Sequence, residues 1–437
     1  MKFNTKRTLL VGLAFLSISA FWQLYDSTVP LILKNTVDMP DDIAGFIMAL
    51  DNVLALFLLP LFGKLSDGCR TPIGRRMPFI AGGTLLAVVF MNLLPVADKT
   101  QNMVLFVALL GLLLISMGTY RSPAVALMPD VTPKPLRSKG NAIINLMGAL
   151  GGVFTLIIIN LLVRTDAVTG REDYTLLYLA VAILMVAAVA VLLCTIRENK
   201  LTAEVAKINA ELGEEEKEEP QQPEAKSSGF KALPKDLRRS LILILCSVSL
   251  WFMGYNAVTT AFTKYMSVQW GYDIKAASQC LMLATVAAVI SYIPIGSFSA
   301  RFGRKRMIQT GVVVLALSFG TAALFTTFHP LAYVVFALVG IAWSMINVNS
   351  YPMVVEISNA SEVGKFTGYY YTFSMAAQIA TPILSGWLLE HVGYYTLFPY
   401  AALMVAASFV TITLTRHGDN RPDKPKSALE AFDAGDD

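Results

Sequence analysis

The sequence predicts an all-α integral membrane protein: twelve transmembrane helices in two six-helix halves, with both termini in the cytoplasm. Three observations carry this expectation. Of 437 residues, 55% are hydrophobic and only 15% charged, and the mean hydropathy is +0.57, far more apolar than a soluble chain of this size. Twelve segments approach the roughly 20 apolar residues that a helix needs to cross the hydrocarbon core. Lysine and arginine in the short loops favour one face of the membrane.

The predicted spans cover residues 8–33, 42–64, 77–97, 103–128, 139–163, 175–196, 240–264, 275–298, 305–327, 330–355, 366–389 and 393–415. Span 1 follows Lys2, Lys6 and Arg7 and superficially resembles a signal peptide. Its apolar run is too long for one, lacks a small-residue cleavage site and precedes many similar segments, so it is expected to be retained. With the long central loop set aside, one face carries nineteen basic residues, among them Lys64, Arg70, Arg75, Arg76, Lys134, Arg137, Arg301, Arg304, Lys305, Arg421, Lys424 and Lys426. The other carries six: Lys34, Lys99, Arg164, Arg171, Lys264 and Lys275. The richer face is cytoplasmic.

Residues 197–239 interrupt the pattern. They begin as a charged helix and end as a Pro, Ser and Gly linker. This loop divides a first bundle, residues 1–196, from a second, residues 240–416; the polar tail 417–437 is expected to be disordered.

Several function classes are excluded. The net charge of +4 is small and the basic residues are scattered, which argues against a nucleic-acid surface. Cys69, Cys194, Cys246 and Cys280 form no CxxC and read as packing residues; no metal site or cofactor is expected. Neither GxxxxGK[ST] nor a catalytic-triad spacing occurs, so the chain does not read as an enzyme, and an ion or substrate gradient must supply its energy.

The halves echo each other. "FWQLYDSTVP" in span 1 matches "WFMGYNAVTT" in span 7, placing Asp26 opposite Asn256. "GKLSDGCRTPIGRR" after span 2 matches "GSFSARFGRKR" after span 8, and "RSPAVALMPD" in span 4 aligns by its proline with "SYPMVVEIS" in span 10. Three echoes in one order indicate a carrier built from internal repeats.

"GKLSDGCRTPIGRR" resembles the loop motif that joins spans 2 and 3 in the major facilitator superfamily, which implies the major facilitator fold. Its expanded spacing, with "CRTPIGRRMPFI", is similar to the sucrose/proton symporters and, more distantly, to the glycoside-pentoside-hexuronide cation symporters. The likeness runs from Phe46 to Ile80 and recurs at 121–130. It implies a cytoplasmic gating latch of Gly63, Asp67, Arg75, Arg76, Asp130, Arg304 and Glu356, in which arginines hold carboxylates. The sequence also departs from these families. The span 2 positions that bind the coupling cation in melibiose-type members are Ala55 and Leu59 here, and no acid stands early in span 4 near Leu114, where the plant sucrose carriers have one.

An ionisable residue deep in a span costs about 2.5–3.5 kcal/mol on the insertion scale and faces a cavity as a rule. Asp26, Asp51 and Arg121 qualify as proton-coupling groups. The resemblance implies a pair between the span 1 acid, Asp26, and the span 4 arginine, Arg121, broken by protonation. A permanent structural bridge is the plainer alternative, and Asp51 is the rival coupling group. His329, His391 and His417 lie near span ends and make poor buried relays.

Sugars need aromatic faces for their C–H surfaces and amides for their hydroxyls. Candidates are Trp22, Tyr25, Tyr120, Trp251, Tyr255, Asn256, Trp343, Asn347, Asn349, Tyr351, Tyr370 and Gln378, of which a subset can touch ligand. The expected function is proton-coupled uptake of a glycoside or disaccharide, sucrose- or maltose-like, by alternating access. Its partners are a sugar, protons and the bilayer of a bacterial cytoplasmic membrane, and the chain is expected to act as a monomer. The alternatives are a proton-driven exporter of amphipathic compounds and a non-transporting sugar sensor. The span 7 and span 10 asparagines favour a polar ligand, and the central loop is too short for an output domain.

Overall fold

The computed structural model describes residues 4–36, 38–133, 136–165, 171–211, 234–357 and 363–419. The first half comprises α1 (Thr5–Asn35), α2 (Asp41–Gly68), α3 (Met77–Lys99), α4 (Met103–Asp130), α5 (Arg137–Leu162) and α6 (Thr175–Thr195). A short antiparallel hairpin, β1 (Arg164–Thr165) with β2 (Glu172–Asp173), joins α5 to α6. After α7 (Glu198–Glu211), the second half comprises α8 (Lys235–Trp270), α9 (Ile274–Phe302), α10 (Arg304–Ala323), α11 (Leu331–Val355), α12 (Val363–His391) and α13 (Leu397–Leu414).

Each predicted span is a helix, with ends moved by a few residues. Span 7 differs most: α8 starts at Lys235 and runs to Trp270, so its last turns project beyond the apolar stretch. The start of the predicted central loop is α7, whose Val205 and Asn209 are buried. Lys2, Lys134, residues 212–233 and residues 420–437, including Arg421, Lys424 and Lys426, lie outside the described residues. Of the four cysteines, Cys194 is exposed rather than packed inside the protein.

Among the described residues, eleven helices are both long and apolar enough to cross a membrane. The twelfth, α12, has 29 residues, about 43 Å at helical rise, but its Tyr, Ser, Thr, Gly and Gln residues lower its apolarity. Packing supplies the reason. α12 lies between α2 of the first half and α8 of the second, so much of its surface meets protein instead of lipid.

The helix contacts repeat. In the first half α1 packs on α5 and α6, α3 on α4 and α6, and α2 on α4. In the second half α8 packs on α12 and α13, α10 on α11 and α13, and α9 on α11. Each contact maps onto its counterpart when α1–α6 are matched in order with α8–α13. The halves meet through α2 with α12, through α5 with α9, and through α1 with α8; the first two contacts are counterparts of each other.

Polar contacts between the halves gather at the outer end. Asn160 of α5 donates to Ser278 of α9 (2.6 Å) and accepts from Gln279 (2.9 Å). Glu172 of the hairpin accepts from the backbone N–H of Ile274, at the start of α9 (3.0 Å). Lys264 of α8 pairs with Asp41 of α2 (2.9 Å). The outer face is closed, and the space between the halves lies further in.

Candidate transport site

α1 presents Ser19, Trp22, Gln23 and Asp26 along one stripe, spaced i, i+3, i+4 and i+7 on an apolar helix. This stripe borders the space between the halves. A cavity of about 350 Å³ is lined by Phe15, Ser19, Trp22, Gln23 and Asp26 of α1, Asn145, Gly148 and Gly152 of α5, Tyr255 of α8, Thr285 and Tyr292 of α9, and Trp343 of α11. A second cavity of about 160 Å³ shares Trp22 and Asp26 and adds Asp51, Asn52, Arg121, Asn256, Thr259, Thr260 and Gln378. A small third one, about 80 Å³, also reaches Asp26. Asp26 is thus common to all three.

The walls divide by chemistry. Tyr255 and Trp343 stack at 3.8 Å and 7°, and Phe252 meets Trp343 edge-on at 5.3 Å, giving the larger cavity an aromatic wall from the second half. The first half supplies the charges. The Arg121 guanidinium lies 5.6 Å from the Trp22 ring centroid, a cation–π distance. The Asp51 carboxylate accepts from the backbone and the side-chain amide of Asn52 at 2.6 and 2.8 Å.

The expected ion pair between Asp26 and Arg121 is not formed. Arg121 makes no ion pair with Asp51 either; Asp26, Asp51 and Arg121 all border the smaller cavity. Sequence separation cannot reveal at what distance charges on different helices face one another, and here the three meet across a cavity instead of in a bridge.

Several buried donors at these cavities have no partner: the Trp22 indole Nε1, Asn145 Nδ2 and Asn256 Nδ2. A buried donor left unsatisfied costs about 1–3 kcal/mol, so a ligand with acceptor hydroxyls would relieve it.

Of the residues expected to touch ligand, Trp22, Tyr255, Asn256, Trp343 and Gln378 line the cavities. Others do not. Tyr120 is fully buried and donates to the Ala14 carbonyl (2.8 Å), and Tyr370 is buried against Ser350 (2.9 Å). Trp251 and Tyr25 are core residues, Tyr351 bonds to Thr367, Asn349 donates back to the Met345 carbonyl of its own helix, and Asn347 is buried. The cause is helical phase: one position along a helix rotates a side chain by about 100°, which turns Tyr120 away from the face that carries Arg121.

Ser19, Gln23, Asn145, Thr259, Thr260, Thr285 and Tyr292 also line the cavities, beyond the residues expected from type alone. The first two were recoverable, because they complete the stripe of Trp22 and Asp26. The others carried no such signal, being common polar residues whose facing becomes visible only once helices cross.

At the inner end, Arg75 pairs with Asp130 (2.7 Å) and Arg76 bridges Asp130 (2.9 Å), Asp67 (2.5 Å), the Ser66 hydroxyl (2.5 Å) and the Gly63 carbonyl (3.3 Å). Arg304 pairs with Glu356 in the second half. Glu198, absent from the sequence expectations, is buried and accepts from the backbone N–H groups of Arg75, Arg76 and Met77 at 2.9–3.0 Å. It caps α3 as an acid at a helix N-terminus. Gly74, at φ +131°, leaves it room, since a Cβ there would strike the Glu198 side chain. Asp419 holds the corresponding place at α10, accepting from the Lys305 N–H (2.9 Å).

A two-fold repeated helical bundle with a polar chamber between its halves, closed at one face, has the architecture of a membrane carrier. The chain belongs to the Major Facilitator Superfamily, whose family model matches residues 11–291 and 244–434. It is therefore a multi-pass integral membrane protein. Among characterised proteins it is similar to the human Proton-associated sugar transporter A, at 29% identity over 141 residues, which is 30% of this chain and 19% of that one. It is also similar to rice Sucrose transport protein SUT4 (Oryza sativa subsp. indica), at 24% over 169 residues, 34% of this chain and 28% of that one. The matched stretch spans less than a third of either relative. Its fold resembles the nucleoside transporter NupG, with TM-score 0.68, 15% identity and coverage of 94% and 100% of the two chains. It also resembles the inward-open xylose transporter XylE from E. coli, with TM-score 0.65, 15% identity and coverage of 98% of each.

Proposed function

We propose that the protein is a proton-coupled importer of a glycoside or disaccharide, working by alternating access across a bacterial cytoplasmic membrane. The observation that carries this reading is the chamber around Trp22 and Asp26, where aromatic faces, unpartnered buried donors and membrane-buried charge meet between the halves. Rings suit the C–H face of a sugar, and Trp22 Nε1, Asn145 and Asn256 suit its hydroxyls. The relatives named for proton-associated sugar and sucrose transport support the same substrate class.

Coupling follows from charge counting. Asp26, Asp51 and Arg121 sum to −1 when all are ionised, and a buried net charge is costly in a bilayer. One proton makes the set neutral. In this reading Asp51 offsets the charge of Arg121 across the smaller cavity, while Asp26, at the junction of the cavities, accepts from sugar hydroxyls and exchanges the proton. Loaded and neutral, the carrier crosses to the other state; emptied, it returns.

The test is uptake of a labelled glycoside panel into proteoliposomes under imposed pH or sodium gradients. A pH gradient, inside alkaline, should drive accumulation above equilibrium. No gradient-driven sugar uptake with either ion defeats the proposal.

A further inference from the structure

The outer closure contains four charges that the transport site does not use. Lys34 and Asp41 belong to the first half, Lys264 and Glu390 to the second. Asp41 is fully buried and Lys264 nearly so, and their 2.9 Å bond crosses between the halves. Glu390 also crosses, accepting from the Asp41 backbone N–H at 2.8 Å and lying 4.0 Å from the Lys34 ammonium. The Tyr394 ring lies 6.0 and 5.9 Å from the ammonium groups of Lys34 and Lys264.

At the same level the α2 and α12 backbones touch. A Cβ on Gly45 would strike the Pro382 carbonyl, and one on Gly386 the Asp41 carbonyl. The seam closes because glycines admit it, and the charges sit at its edge.

Separating a buried pair by removing one partner leaves a stranded charge, which is strongly destabilising. Here each half owns one acid and one ammonium. Lys34 already lies 3.8 Å from Asp41 within the first half, and in the second half Glu390 and Lys264 both meet Asp41, at its N–H and at its carboxylate. We propose that these residues form an outer gate that works by exchange of partners. Closed, Lys264 binds Asp41 across the seam; open, Lys264 turns to Glu390 and Asp41 keeps Lys34, so neither half exposes an unpaired charge. The gate does not depend on which substrate is carried.

The test measures access from both sides in a background without native cysteines. Met48→Cys, in the lining of the smaller cavity, reports outer access to a membrane-impermeant maleimide on intact cells; Ala149→Cys, in the lining of the larger cavity, reports inner access in inside-out vesicles. Asp41→Asn and Lys264→Gln should each raise the outer labelling rate about tenfold, because the seam loses its buried pair, while inner labelling falls. Asp41→Lys combined with Lys264→Asp should move both rates back towards the parent. Unchanged outer labelling in both single variants overturns the gate. So does a rise on both sides, which would mean general loosening.

Discussion

The two halves share a packing plan and differ in charge. By the sequence echoes, Asp26, Asp51 and Arg121 of the first half stand opposite Asn256, Ala284 and Ser350 of the second. The structure gives a physical reason at one of these places. α11 approaches α9 so closely that a Cβ on Gly340 would strike the Ala284 carbonyl, whereas the matching Gly111 of α4 meets nothing within 4 Å. The second half is packed tight where the first holds a carboxylate. At the cavities one half supplies the ionisable positions, and the other contributes the stacked Tyr255 and Trp343. The scaffold is common to both halves, with the charge on one side and the stacking on the other.

The sharpest way to break the contrast is to make the halves alike. Asp26→Asn copies the second half's residue into the first, and concentrative uptake should fall by about 100-fold, the scale of losing a proton-transfer group, while downhill exchange persists. Undiminished proton-driven accumulation in this variant would remove Asp26 from the coupling role.

Forcing the second half to resemble the first should cost stability. Ala284→Asp buries an unpaired carboxylate and should destabilise by about 3–5 kcal/mol. Gly340→Ala overpacks the α9–α11 contact, at about 1–3 kcal/mol. Gly111→Ala, at the matching open position, should gain up to about 1 kcal/mol from helix propensity. Thermal unfolding in detergent ranks the three; equal effects of the two glycine variants would contradict the packing difference.

Removing the second half's aromatic wall tests the division of labour at the ligand. Trp343→Ala should raise the KM for the transported glycoside about tenfold, or about 1.4 kcal/mol, with the proton-to-sugar ratio unchanged. Asn145→Ala should do the same through lost hydroxyl contacts. A changed ratio with an unchanged KM would reverse the assignment.

The helix caps give a smaller contrast. Glu198 is buried and serves three N–H groups, while Asp419 is exposed and bonds to the Lys305 N–H. Glu198→Gln should cost about 1.5–3 kcal/mol, the range for hydrogen bonds to a charged group, and Asp419→Asn less than about 1 kcal/mol.

The smallest effect is expected at the outer hairpin of the first half. Burial pushes the Asp173 carboxyl up, but bonds from Thr175 and Lys99 outweigh it and hold the group below the usual carboxylate range. Its contribution is present above about pH 3.9, the ordinary value for aspartate, and is lost as pH falls through the lowered value. Both Lys99 and Asp173 are more than one-third exposed, so Asp173→Asn should cost at most about 1 kcal/mol at neutral pH and nothing in strong acid. Unfolding of the two proteins at neutral and acid pH checks the sign.

Much of this contrast was legible in the residues. Asp26 against Asn256 could be read from the aligned spans, and Arg75, Arg76 and Asp130 from charges at cytoplasmic span ends. Partnership was not legible. Arg121 forms no ion pair with Asp26 but shares a cavity with it and with Asp51, Glu198 reaches back across 121 residues to cap the Met77 N–H, and Asp41 meets Lys264 over 223.

The sequence by itself determined the membrane class, the spans, their orientation and the repeat. These follow from local quantities: apolar length sets whether a helix enters lipid, loop charge sets its direction, and internal likeness sets the symmetry. The tertiary structure alone decided which polar side chains face the chamber and which charges pair. Those depend on helical phase and on the level at which distant helices cross, and a rotation of one residue is enough to turn a cavity-lining residue such as Trp22 into a core residue such as Phe21.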